Sequence, residues 1–445
     1  MWGKGRKIVF LNLLPYECGA AEEYLSKMAQ RGWLLKNVKG TFLIFKRSEP
    51  KILRYSVDVL NKISIFDHKD SDEALEYREY CEAAGWNYVC QKGKIQIFCT
   101  EEQNEAVSIH TDEQEKLKAV FKASFYDVGM QILLTLIFVF NLYVSMVLGN
   151  SSFILSSNMG LLSETGMLIL IAANIIEITS FIIWFVKNKI RVKDNKLMVF
   201  NDYKRVKAKN IIKISFSFVI LLLWIAILVY DDSNGDQLNI IMFVMMLALI
   251  LIAVCVKWFI NNKRYSRNTN RGLLIGGNII LIYLMVSVIG IFAFRQVIEG
   301  NIYTAPMETA NLTIEDFGYK DGNNSGPHFM SDKSVLAQEV EYFSDNDDNR
   351  LSYNILQSPY PLVIKFYQNR LISWHNRYDN ELNKESTSLP DNIKVYRDKK
   401  KRIYIFVSHN KVIDAIKELK DTSDEEFIDK VYDKLIKNQE KAADF

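Results

Sequence analysis

Among the side chains able to do chemistry, Glu177 stands apart, because it lies near the middle of an uncharged apolar run where an ionised carboxylate is expensive. A carboxyl group in that setting must pair, face other helices or keep its proton. Two roles follow from this. One is a hydrogen bond that holds helices together, with Asn174 on the same helical face or Asn278 of a later apolar run as partner. The other is a step in a proton or ion pathway. The remaining reactive residues are more ordinary. Cys81, Cys90 and Cys99 are spaced by nine with no histidine close by, which fits no zinc spacing and reads as buried thiols. His375 beside Trp374 and His409 beside Ser408 have neither a paired metal spacing nor a nucleophile, so they read as surface or core histidines. Asp345, Asp347 and Asn349 begin like a calcium loop, but Arg350 stands where that loop needs glycine and Leu356 where it needs glutamate. Without a P-loop, nucleophile elbow or HExxH pattern, neither catalysis nor a metal or cofactor is expected.

The elements that must hold Glu177 are apolar helices. Uncharged runs of bilayer-spanning length occur at 129–148, 166–186, 211–230, 238–256 and 273–294, which predicts about five transmembrane helices between soluble ends. Residues 187–213 carry ten Lys or Arg against two Asp, and residues 257–271 carry five against none. The intervening connections have only Glu164 in one and Asp231, Asp232 and Asp236 in the other, so basic and non-basic loops alternate. By the positive-inside rule the N-terminus is cytoplasmic and the C-terminus extracytoplasmic in a multi-pass protein. Four cysteines precede the first span and none follows Cys255, which agrees with a reduced N-terminal compartment. Of 445 residues 49% are hydrophobic, and a net charge of +3 gives no reason to expect nucleic acid as a partner.

The first 125 residues match themselves at a constant offset of 53. Glu23-Tyr24 recurs as Glu76-Tyr77, Gly32-Trp33 as Gly85-Trp86, Lys39-Gly40 as Lys92-Gly93 and Ile44-Phe45 as Ile97-Phe98. Each copy reads as a helix ended by glycine, a strand opened by tryptophan, a turn at Lys-Gly and a strand ending in phenylalanine. With strands before each helix, the pattern predicts an α+β domain of two βαββ-like repeats, anchored by Trp33, Trp86, Phe45 and Phe98.

Tyr16-Glu17, the helix around residues 22–28, Gly32-Trp33, Phe45-Lys46, Tyr55-Ser56-Val57-Asp58 and Ala84-Gly85-Trp86 with Phe98 resemble the bacterial domain of unknown function 2812, over roughly residues 6 to 115. The resemblance implies a membrane protein of the bacterial plasma membrane, with this domain ahead of its spans and a stress-response or regulatory setting. It supplies no catalytic residues.

The expected organisation is therefore a cytoplasmic duplicated domain at 1–120, a five-helix membrane region at 121–295, a linker at 296–333 and a small extracytoplasmic α+β domain at 334–445. In the last, 334–343 reads as helical, 393–396 with 403–407 as a hairpin, and 424–438 as an amphipathic helix. Soluble domains on both sides of a bilayer suit a sensor or adaptor whose inner domain binds a protein partner, or a homo-oligomer, while its outer domain senses the envelope. The alternative is a subunit of a membrane transport assembly that uses Glu177.

Overall fold

The computed structural model describes residues 5–12, 14–64, 66–101, 106–109, 112–149, 151–230, 265–298, 310–320, 328–346, 349–377 and 381–437, with isolated positions between 244 and 255. The chain folds as two units. The first comprises residues 1–138, 168–221 and 243–287; the second comprises 139–167, 222–242 and 288–445.

The first unit opens with β1 (Arg6–Phe10), a single 3-10 turn (Pro15–Glu17), α1 (Cys18–Gln30), β2 (Trp33–Lys39) and β3 (Phe42–Arg47). It continues with β4 (Leu53–Val59), α2 (Asp72–Ala83), β5 (Asn87–Lys92) and β6 (Ile95–Glu101). The strands form two antiparallel sheets of order β1-β3-β2 and β4-β6-β5. Ile44 pairs with Ile8, and Ile97 with Val57, so the third strands are offset by 53 residues and the first strands by 49. Four residues have entered the loop between first strand and helix. Both second strands carry a register shift, between Leu35 and Asn37 and between Tyr88 and Cys90, again 53 apart. Gly32 and Gly85 have φ of +77 and +88°, the left-handed conformation in which glycine ends a helix without a Cβ clash. Phe45 and Phe98 are fully enclosed, each contributing about 1.5–3 kcal/mol of burial energy. The halves interlock, since α1 packs on β4 and the Glu22 carboxylate accepts the Val57 N–H at 2.8 Å.

Among the described residues, three helices are long and apolar enough to cross a membrane: Glu113–Leu148, Asn158–Lys193 and Tyr203–Ile227. They contain the first three predicted spans within α3 (Glu113–Tyr143, prolonged by a π turn at Val144–Leu148), α5 (Asn158–Lys193) and α6 (Tyr203–Tyr230). A short α4 (Ser151–Ser156) lies between α3 and α5. The fifth predicted run lies within α7 (Arg267–Ile298), and the fourth, with its acidic connection, falls largely outside the described residues.

The second unit holds one seven-stranded antiparallel sheet of order β10-β11-β12-β13-β9-β8-β7. Its strands are β7 (His328–Lys333), β8 (Gln338–Asn346), β9 (Asn349–Gln357), β10 (Leu382–Glu385), β11 (Lys394–Asp398), β12 (Ile403–Val407) and β13 (Lys411–Glu418). One face is covered by α8 (Pro361–Arg377), through Ile364, Tyr367 and Leu371 against Ile405, Val407 and Val412. The other is covered by α9 (Asp424–Val431) and its π-helical extension Tyr432–Lys437, with Leu312, Ile314 and Phe317 from the segment before β7.

Two expectations fail here. The 334–343 stretch is a turn (334–337) followed by the first residues of β8 rather than a helix, and its covered positions include the polar Ser334 and Glu339. Glu339 accepts from Asn354 and from Ser156 at 2.7 Å, which lets a carboxylate occupy a covered strand position and erases the usual period of two. The folded unit also starts well before residue 334: a 3-10 turn at Ile314–Phe317 closed by a Thr313/Asp316 capping box, and β7, lie in what the sequence reads as linker. The predicted 393–407 hairpin is present, with Val395 opposite Phe406, and so is the amphipathic helix from Asp424.

Candidate functional site

The 3-10 turn Pro15–Glu17 begins with proline, whose fixed φ suits a first helical position, and it buries Tyr16 and Glu17 together. Glu17 is 2% exposed. A carboxylate so enclosed needs a cation, and Lys209 of α6 supplies it, forming an ion pair with Glu17 and donating to the Tyr16 hydroxyl at 3.2 Å. The Tyr16 ring lies edge-on to Phe181 of α5 at 5.5 Å and beside Trp184 at 6.0 Å. Burial pushes the Glu17 carboxyl above its ordinary range, although Lys209, Lys213 and Lys92 pull the other way. Burial likewise raises the Tyr16 phenol, with the Glu17 charge adding to it.

One turn further along α6, Lys213 forms an ion pair with Glu177 of α5, which is 1% exposed. Lys209 and Lys213 are an i, i+4 pair on one helical face. Two buried carboxylates, one from the N-terminal domain and one from an apolar helix, are thus engaged by adjacent turns of the same helix. Among the described residues Glu177 pairs with Lys213, rather than with Asn174, which is partly buried, or Asn278, which is exposed. The polar partner comes from the basic loop end of span three, where a lysine reads in the sequence only as a topology signal.

The loop between α5 and α6 is held by the same domain. Asn188 mimics a peptide group toward Val199, accepting its N–H at 2.7 Å and donating to its carbonyl at 3.0 Å. Glu113 accepts from the Met198 N–H at 2.8 Å, and Tyr203 packs on Tyr24 at 5.6 Å. Phe200 sits so tightly over Gly19 that a Cβ there would lie 2.5 Å from its ring. At the second basic loop, Arg267 makes a two-pronged pair with Asp67 at 2.6 and 2.7 Å, and Asn270 donates to the Phe66 carbonyl at 2.9 Å. Burial pushes the Asp67 carboxyl up, but the bonds from Arg267 and the Ser64 N–H outweigh it and leave its pKa lowered.

The four aromatic anchors divide. Phe45, Phe98 and Trp86 are core residues, and Trp86 donates its indole N–H to the Val107 carbonyl at 2.7 Å. Trp33 is only half-buried, with the Lys7 ammonium 5.5 Å from its ring centre. In the second unit His375 is buried, and its Nε2 faces the Asp414 carboxylate at 3.0 Å. Asp414, Asn354 and Glu341 follow one another across β13, β9 and β8 and line a shallow groove of about 260 Å³. Burial raises the Glu341 carboxyl, and the neighbouring Glu339 adds to it. Of the calcium-like residues, Asp345 lies in β8 and Asn349 opens β9, while Asp347 falls outside the described residues.

Residues 18–128 match the family described as protein of unknown function (DUF2812). Neither the curated proteins nor the solved structures contain a match to the chain.

Proposed function

Taking residues 18–128 as a DUF2812 domain joined to apolar helices, we propose that the chain is a multi-pass membrane sensor or adaptor whose N-terminal domain binds a protein partner. One observation carries the reading: Glu17 of the soluble domain and Glu177 of α5 are engaged by Lys209 and Lys213, successive turns of α6. A shift of α6 alters both pairs, so occupancy of the soluble domain and the packing of α5 and α6 share one energy term. Buried ion pairs of this kind favour discrete arrangements over gradual deformation, because a half-broken pair leaves a bare charge.

The N-terminal domain is read as a tandem duplication, supported by the common strand order, the 53-residue register and the matching bulges. Its cytoplasmic placement is supported by the loops it holds: Lys209 and Phe200 belong to the first basic loop region, Arg267 and Asn270 to the second. The C-terminal domain is read as extracytoplasmic. It binds the stretch between the first two apolar runs, residues 149–165, whose described residues include Glu164 and no lysine or arginine.

A second reading, a transport subunit using Glu177, is favoured by the burial of that carboxylate. Its pairing with Lys213 counts against it, since a neutralised pair gives a passing ion little purchase.

The test is to purify the intact chain, Lys209→Met and Glu177→Gln from mildly crosslinked membranes and to compare what co-purifies. The adaptor reading expects one protein captured through the N-terminal domain, at a level that changes several-fold in Lys209→Met. No captured protein in any sample would discard it. An ion flux lost only in Glu177→Gln would establish transport instead.

A further inference from the structure

Helix α8 has an outer face that the sheet does not cover. Ile364, Tyr367, Leu371 and His375 point into the domain, while Leu362 is 81% exposed and Phe366 is 44% exposed. At about 100° per residue, Leu362, Phe366, Arg370 and Arg377 fall within an arc of about 80°. This outer face is not directed at random. Arg370 donates to the carbonyl of Val147 and, at 3.3 Å, to that of Gly149, and Arg377 reaches the Val147 carbonyl at 3.4 Å. Val147 and Gly149 are where the first apolar helix ends. The face carrying Leu362 and Phe366 is therefore the face turned toward the end of a membrane span.

The other end of α8 is tied to the next apolar helix. Ser358, just before the helix, donates to the Leu336 carbonyl at 2.7 Å. Ser334 in that turn donates to the Leu155 carbonyl, and the Val335 N–H donates to Asn158 Oδ1 at 3.0 Å. Asn158 is the first residue of α5, the second apolar helix. One end of α8 is thus tied to the exit of one span and the other, through a single turn, to the entry of the next. Val335, 74% exposed, and Tyr360, 49% exposed, extend the apolar rim at the Asn158 end, and Lys365 and Arg377 flank it with positive charge.

We propose that the outer face of α8 is seated in the headgroup layer of the bilayer, with Leu362, Phe366, Tyr360 and Val335 in the acyl boundary and Lys365 and Arg377 at lipid phosphates. The composition is that of an interfacial amphipathic helix: large apolar side chains on the buried side, an aromatic ring at the boundary, and basic residues able to reach headgroups. The C-terminal sheet then rests on the membrane through α8, and lipid is the ligand of that face.

The experiment uses the full chain in nanodiscs of phosphatidylglycerol and phosphatidylcholine. Cysteines placed one at a time at Leu362, Phe366 and Glu425, the last on the opposite side of the sheet, are labelled with a polarity-sensitive fluorophore. The unsubstituted chain is labelled in parallel to subtract the native cysteines. Lipids carrying a nitroxide near the headgroup should quench positions 362 and 366 several-fold more than 425. Equal quenching at all three positions would overturn the proposal. So would a blue-shifted emission at 362 and 366 without lipid quenching, because it would mean that a second copy of the chain covers the face. Both labelled side chains point away from the core, so the substitutions leave the packing of the sheet intact.

Discussion

At the scale of single residues, the seam at Glu17 makes an asymmetric prediction. Burial raises the carboxyl of Glu17, so the ion pair holds against a desolvation cost rather than adding a large surplus. Lys209→Met leaves that carboxylate without its cation and should lower stability by about 3–5 kcal/mol. Glu17→Gln removes the charge while keeping the volume and should cost clearly less, and the double variant should recover part of the Lys209→Met loss. Urea unfolding of the detergent-solubilised chain, followed by tryptophan fluorescence, checks all three; a double variant no better than Lys209→Met would show that packing against Tyr16, not charge, holds the seam. None of this is legible locally in the sequence. Glu17 and Lys209 are 192 positions apart, and Lys209 is one of ten basic residues in a loop whose total charge is the only visible signal. Glu177 is visible because a lone carboxylate breaks an apolar run, but its partner is not. Polar residues inside the spans are the natural candidates for it, whereas Lys213 stands at the edge of one.

At the scale of elements, legibility follows periodicity. The helices and hairpins of the N-terminal domain can be read because Gly-Trp and Lys-Gly mark their ends twice over, and Gly32 and Gly85 occupy conformations that exclude most other residues. The strand character of β8 is hidden because both of its faces are covered, one of them by a helix that leaves room for the polar row Glu339, Glu341 and Asn354. Binary patterning reports exposure, and it is silent where polar residues are satisfied inside. The contact between α1 and the α5–α6 loop carries its own prediction. Gly19→Ala sets a methyl group 2.5 Å from the Phe200 ring and close to its Cβ, so the loop itself must move. The expected cost is about 1–3 kcal/mol, the range for overpacking. Trypsin should then cut faster after Lys193 or Lys196, and an unchanged cleavage rate would mean that the loop adapts without opening.

At the scale of the whole molecule, apolar length is the legible signal, since it depends on the bilayer rather than on any particular tertiary contact. Among the described residues, three of the five expected spans correspond to helices of sufficient length and apolarity. The proposed orientation predicts that, in intact cells, a membrane-impermeant maleimide labels a cysteine at Glu425 and leaves one at Lys69 unlabelled until the membrane is opened. The reverse result would invert the topology without disturbing the contacts described within either unit. The pair between Arg267 and Asp67 adds a dimension of time. Its members are 200 positions apart, and at about 5–20 residues per second the ribosome needs about 10–40 s to deliver Arg267 after Asp67 has emerged. During that interval the N-terminal domain waits with Asp67 uncompensated, and with Glu17 uncompensated as well until Lys209 emerges. In the proposed topology, a chain that skips one span before Arg267 during insertion brings that residue out on the wrong side of the membrane, and Asp67 never finds it. In that topology the same salt bridge that fastens the domain would also record whether the membrane was threaded correctly, and a misthreaded copy would advertise itself to proteolysis by the bare Asp67 carboxylate.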